Sequence, residues 1–237
     1  MPAKRWLIAA FLVSFLTFLI AGLPAALVVQ LVQKPLAASG VSIISATGTL
    51  WHGQGVWRWR DLRGQVGWEL DWRGLRPGVN VDLEGPLVLS GWLSGGPGSV
   101  QLRDVELSMA GAMLERWQPQ LKLAGRITGR NLALSFRDKR VTDAAGELAY
   151  TGGQASWSTQ KPVTVTPLKG VLEPTDDGAA LIVRDASDGS MLAQGSITGN
   201  IGALKVYRAW VMMLELSRGG APEDVVFETS MPLWQQD

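Results

Sequence analysis

QVGWELDW, residues 65–72, sets Val66, Trp68, Leu70 and Trp72 at every second position, with Gly67, Glu69 and Asp71 between them and Arg73 following. Side chains alternate across an extended strand, so this spacing gives one apolar face and one wetted face. A helix would scatter the same four residues around its circumference. The period recurs on either side. In VWRWR, Trp57 and Trp59 alternate with Arg58 and Arg60, and in VNVDL the apolar set is Val79, Val81 and Leu83. Further on it returns as Val105, Leu107 and Met109, then as Leu132, Leu134 and Phe136.

Turn residues punctuate these runs at intervals of roughly 8 to 14 residues, as in an antiparallel all-β domain. The breaks are Arg76-Pro77-Gly78, Gly95-Gly96-Pro97-Gly98, Gly152-Gly153 and Asp176-Asp177-Gly178. The expected fold is therefore all-β and mainly antiparallel, a curled sheet or partly open barrel with one packed face. One segment departs from it. ALKVYRAWVMMLELSRGG, residues 203–220, spaces Leu204, Tyr207, Trp210, Val211 and Leu214 as a short helix would, with Gly219 placed as its stop. A last strand, Val225 to Met231, follows.

The N-terminus has another character. Residues 6–32, WLIAAFLVSFLTFLIAGLPAALVVQLV, carry no charge. As a helix, about 27 residues reach roughly 40 Å, enough to cross a hydrocarbon core of about 30 Å with some tilt. The run is too long for a signal-peptide core, which favours an uncleaved anchor; cleavage near Leu36-Ala37-Ala38 is the alternative. Lys4 and Arg5 precede the run and Lys34 follows it, so the positive-inside rule leaves the N-terminus in the cytoplasm. The expected layout is a cytoplasmic tail at 1–5, a transmembrane helix at 6–32 and a periplasmic β-rich domain at 33–237. Pro24 reads as a kink or as a proline tolerated near the outer end.

Composition narrows the function. A formal charge of +1 over 237 residues supplies no field to gather nucleic acid. The chain has no cysteine, which removes disulfides, thiolate nucleophiles and zinc–cysteine sites. Its single histidine, His52, rules out a multi-histidine metal centre. No motif joins His52 to Asp61, the nearest acid in sequence, or to a nucleophile, since Ser42 and Ser45 lie in a strand-like run without a nucleophile elbow. Asp176-Asp177 precede a glycine and read as turn chemistry, as do Asp185 and Asp188 in DASDG. GNIGALK, residues 199–205, lacks the ending of a phosphate loop. Cofactor, metal and catalytic residues are therefore all expected to be absent.

Five of the chain's 11 tryptophans, Trp51, Trp57, Trp59, Trp68 and Trp72, crowd into the first third of the outer domain. They read first as core, with Trp57, Trp59, Trp68 and Trp72 forming an apolar face. A membrane-facing surface or an acyl-chain groove are the other readings. Arg58, Arg60, Arg63, Arg73 and Arg76 lie among them, as a solvated face or as contacts to anionic lipid or protein.

The stretch SATGTLWHGQG, residues 45–55, contains Gly48-Thr49-Leu50-Trp51-His52-Gly53. In this motif, in the helix ahead of it and in the YRAW…LELSRGG segment before a last strand, the chain resembles protein N of the bacterial type II secretion system. His52 stands at the variable position of the motif. The resemblance implies a non-enzymatic accessory component anchored in the inner membrane by a single pass, with its β domain in the periplasm. It would serve export of folded proteins across the outer membrane through protein–protein contacts. Partners would be the inner-membrane platform, with the outer-membrane secretin as a further candidate, and Gly48, Thr49, Leu50, Trp51 and Gly53 would be family-motif or contact residues. The competing reading is a periplasmic lipid-handling module with an apolar β groove, with lipid rather than protein as its partner. An envelope enzyme is the least supported, because no nucleophile, base and orienting group can be named together.

Overall fold

The computed structural model describes residues 2–38, 40–138, 140–158, 161–216 and 219–232, and the side chains among them from residue 11 onward except half of those in the second helix. The chain divides into two compact units, Met1–Gly85 and Pro86–Asp237.

In the first unit, the long apolar run forms two helices, α1 (Pro2–Ala21) and α2 (Ala25–Ala38). The sequence places the break. Pro24 has no amide proton, and its ring would strike the carbonyl four residues back, that of Ile20. The helix accordingly tightens as Leu23 N donates to Ile20 O at 3.2 Å, and α2 restarts with Leu27 N donating to Pro24 O at 3.1 Å. The described side chains of α1 lie exposed, including Phe11 and, at 83 %, Phe18. Among the described residues no helix is long and apolar enough to cross a membrane. The side chains of Lys4, Arg5 and Lys34, which carried the orientation argument, lie outside the described set.

Four strands follow as an antiparallel meander: β1 (Val41–Gly48), β2 (His52–Trp59), β3 (Leu62–Arg73) and β4 (Arg76–Glu84). The register brings Trp57 opposite Gly64, Trp59 opposite Leu62 and Trp68 opposite Gly53. Directly opposed residues share a face. All four tryptophans of the expected apolar face therefore project to one side, together with Val66, Leu70 and Val81. The β3–β4 turn differs from expectation. It is Gly74-Leu75, with Arg73 opposite Arg76 and Pro77 inside β4 opposite Trp72. Gly74 takes the turn's positive φ of 65°, which glycine adopts without Cβ strain, so the reversal precedes Pro77.

The second unit holds β5 (Leu87–Gly96), β6 (Ser99–Ala110), a 3-10 turn (Gly111–Arg116), β7 (Leu121–Leu123), β8 (Arg126–Arg137) and β9 (Arg140–Tyr150). It continues with β10 (Gly153–Trp157), β11 (Val163–Val165), β12 (Leu168–Thr175), β13 (Gly178–Asp185), β14 (Met191–Thr198), β15 (Ile201–Tyr207), α3 (Arg208–Met213) and β16 (Val225–Pro232). Strands β7, β10 and β11 leave the main sheet and form a separate three-stranded one, in the order β11-β10-β7. Within the unit the main sheet runs β5-β6-β8-β9-β12-β13-β14-β15-β16, and neither sheet closes on itself among the described residues. Its core includes Val141, Ala144 and Ala179, packed against Leu134, Phe136, Leu172 and Ile197.

The expected helix over 203–220 is shorter. Its first five residues belong to β15, paired with both β14 and β16, because tertiary pairing outweighs a local helical spacing. The helix also ends before Gly219. Glu215 takes the left-handed conformation at φ 57°, its amide bonds Met212 O at 3.0 Å, and the Leu216 amide bonds Val211 O at 3.0 Å. That pair of bonds is a Schellman stop with a glutamate in the usual glycine position. The last strand, β16, lies where Val225 to Met231 was expected.

Candidate functional site

The motif Gly48-Thr49-Leu50-Trp51-His52-Gly53 forms the corner between β1 and β2 and fastens it to the helix break. Gly48 sits opposite Gly53 at φ 98°. A Cβ on Gly48 would stand 2.7 Å from Gly53 Cα, so only glycine lets the two backbones meet there. Thr49 N donates to His52 O at 2.8 Å, and the Thr49 hydroxyl accepts from the amides of Trp51 and His52 at 3.3 Å each, closing a local turn.

Leu50 and Trp51 reach outward to the helices. Leu50 N donates to Leu23 O at 2.8 Å, and the Trp51 indole Nε1 donates to Ile20 O at 2.9 Å. Ile20 is the residue whose carbonyl Pro24 deprives of its ordinary helical partner. The motif tryptophan therefore adds a second, shorter bond to a carbonyl that otherwise holds only the Leu23 amide at 3.2 Å. A bridge between Pro24 and Thr49 completes the clasp. On its other side, Trp51 O accepts from Leu70 N at 2.6 Å, tying the corner to β3.

Gly53 carries the adjoining tryptophan. A Cβ there would lie 2.8 Å from Trp68 Cε2, so the indole occupies the space a side chain would fill. Trp68 Nε1 then donates to Thr49 O at 3.1 Å. The arrangement repeats one strand-length away, where Trp57 covers Gly64 and its Nε1 donates to Gln65 O at 3.0 Å. Trp57 is 8 % exposed, Trp59 and Trp68 are half-buried, and Trp72 is 61 % exposed. The four are thus graded from core to surface rather than equally packed. Trp59 also lies under the Arg60 guanidinium, 5.2 Å from its ring centre.

His52 is exposed and directly faces Glu69, on the face opposite the tryptophans, with Asp82 beside Gly67 on the next strand. Sequence spacing offered Asp61 as the nearest acid; strand register, invisible without pairing, supplies Glu69 instead. Among the described residues no group of three or more His, Asp or Glu side chains is placed to hold a metal ion. Arg58 and Arg63 oppose each other on the wetted face, both exposed. At the end of the β3–β4 hairpin, Trp72 and Leu75, the latter 95 % exposed, stand beside Arg73 and Arg76.

In the second unit the DASDG segment is a closed turn. The buried Asp185 accepts from the Ser187 amide at 2.7 Å, the Ser187 hydroxyl at 2.5 Å and the Thr166 hydroxyl at 2.5 Å. The Ser187 and Thr166 hydroxyls, with the Ser187 amide, hold its carboxyl below the usual aspartate range. Tyr150 donates to Ala124 O at 2.7 Å, and burial pushes its phenol above its ordinary value. Both groups join connecting segments to the main sheet. Thr166, 19 residues upstream in the chain but adjacent in space, left no sequence signal of this contact.

No curated protein and no solved structure is matched by the chain. The family model of type II secretion system protein N matches residues 39–209, which include the whole corner motif and most of both β units. On that match, which spans well over half of its length, the chain belongs to the type II secretion system protein N family and is a component of that apparatus.

Proposed function

We propose that the chain serves the type II secretion system as a non-enzymatic accessory, held in the inner membrane by its N-terminal segment, with both β units in the periplasm. It acts through protein contacts. Family membership is the observation that carries this reading. Anchoring is supported by the uncharged run 6–32 and by the exposed Phe11, Phe15 and Phe18 of α1, apolar surface that water would not favour. A structural role for the motif is supported by its bonds: Thr49, Leu50 and Trp51 are each engaged with backbone groups, and His52 faces an acid rather than a nucleophile. The clasp passes any pull or tilt of the helices directly to the first sheet.

The hairpin end at Trp72 and Leu75 is the surface this reading offers to a neighbouring secretion protein, being aromatic, aliphatic and flanked by arginines. Leu75→Asp changes an exposed turn residue and leaves the fold intact. In cells relying on this copy, it should lower secretion of a type II substrate while the protein accumulates normally. Undiminished secretion from both Leu75→Asp and a deletion strain would remove the proposal.

A further inference from the structure

Two apolar hollows lie on one face of the second unit's main sheet. The larger, about 510 Å³, is walled by Leu121, Ala155 and Val163 of the small sheet, Leu148 and Gly170 of the main sheet, and Trp210 of α3. The smaller, about 360 Å³, begins at Leu172 and Leu181 and reaches Leu204 and Met231. Register places them in succession. Gly170 opposes Val183 in the first hollow, and Leu172 opposes Leu181 in the second. Residues two apart on a strand project to the same face, about 7 Å from each other. The hollows therefore follow one another as a trough along β12 and β13.

The two hollows are apolar, and their volumes fall in the roughly 300–1,000 Å³ range of ligand sites. Among the described residues Lys161 is the only ionic side chain lining either hollow, and it sits exposed at the end nearest the small sheet. A compact polar metabolite would leave these walls unmatched. A polypeptide strand would bring backbone amides that the apolar walls could not satisfy. An unbranched hydrocarbon with one anionic end matches both the shape and the charge.

We propose that the second unit binds the acyl chain of an anionic amphiphile in this trough, the tail lying between the small sheet, α3 and β12–β13, and the head group paired with Lys161. The site is distinct from the tryptophan face of the first unit. It does not depend on the secretion reading, because binding is measured on the purified chain.

The test uses the full chain in phosphatidylcholine nanodiscs, with three probes bearing a diazirine at the chain end: palmitic acid, phosphatidylglycerol and hexadecanol. Irradiation and peptide mapping should place palmitic acid adducts on the segments that line the second hollow, 172–181, 195–204 and 229–231, at the far end from a head group held by Lys161. Lys161→Glu, an exposed change that leaves the walls intact, should cut palmitic acid labelling of those segments by roughly two- to fivefold, the scale of one exposed ion pair, and leave hexadecanol labelling unchanged. Phosphatidylglycerol labelling that tracks palmitic acid assigns the site to bilayer phospholipid; labelling by palmitic acid alone assigns it to free fatty acid. Adducts confined to α1, or equal labelling of Lys161→Glu and wild type, would overturn the proposal.

Discussion

Single residues carry the attachment of the first sheet to the helices. Trp51 donates its indole proton to Ile20 O, the carbonyl whose ordinary helical donor Pro24 lacks, so Trp51→Phe keeps an aromatic ring and removes the bond. A loss of about 1 kcal/mol is expected, the usual net worth of one such hydrogen bond, with faster hydrogen exchange at the Leu50 amide. Gly53→Ala presses a methyl onto the Trp68 ring and should cost about 1–3 kcal/mol. Combining it with Trp68→Leu should be less damaging than the sum, by about 1 kcal/mol, in a double-mutant cycle read by urea unfolding; strict additivity would show that the ring does not rest on the glycine. Trp68→Ala alone should cost about 2–3 kcal/mol, since the half-buried ring buries less than a fully enclosed one.

Asp185 gives a pH dependence at the same scale. Its folded pKa lies below the unfolded value, so its stabilisation is fully present above the ordinary aspartate range and is lost as pH falls through the folded value. Asp185→Asn should lower stability at neutral pH and narrow the gap to wild type as acid is added. A constant gap across acid titration would show that the carboxylate charge is immaterial. The motif glycines could be read from residue types alone, and Pro24 only as far as a kink or a tolerated proline. The partners of Trp51, His52 and Asp185 could not, because each is fixed by register or by a contact far along the chain.

At the level of elements, alternation was a reliable guide. The segment 65–72 lies inside β3, the period at 56–60 falls on β2 as far as Trp59, and that at 79–83 falls on β4. Three elements went otherwise for identifiable reasons. The β3–β4 turn uses Gly74, and the proline that suggested a turn at 76–78 is tolerated in β4 across from Trp72. The first part of 203–220 has apolar spacing compatible with a helix, yet Leu204 and Val206 also alternate, and two strand neighbours settle the choice. The uncharged run 6–32 reads as one span and folds as α1 and α2. Pro24→Ala restores an amide proton at this position and should let it bond Ile20 O, competing with Trp51. Hydrogen exchange should then show protection running through residues 22–25; unchanged exchange would place the cause of the break outside the proline.

At the scale of the molecule, the sequence motif led to the family, and the family to the secretion apparatus, while the physical role of the motif needed coordinates. The motif residues that looked like a contact site, Gly48, Thr49, Leu50, Trp51 and Gly53, are largely occupied in joining helix to sheet, which leaves the hairpin end at Trp72 and Leu75 as the more open surface. The hydrocarbon trough of the second unit was equally hidden, because its walls come from β7, β10, β12 and α3, dispersed over about a hundred residues of chain. On this account His52→Ala should leave secretion of a type II substrate at the wild-type level, and a loss of secretion at normal protein abundance would give the histidine a part in function. The most direct test is photo-crosslinking in living cells from Leu75, and separately from Trp72, with the adducts identified by mass spectrometry. The account predicts adducts with inner-membrane platform proteins or with the secretin; adducts to phospholipid alone at both positions would contradict it.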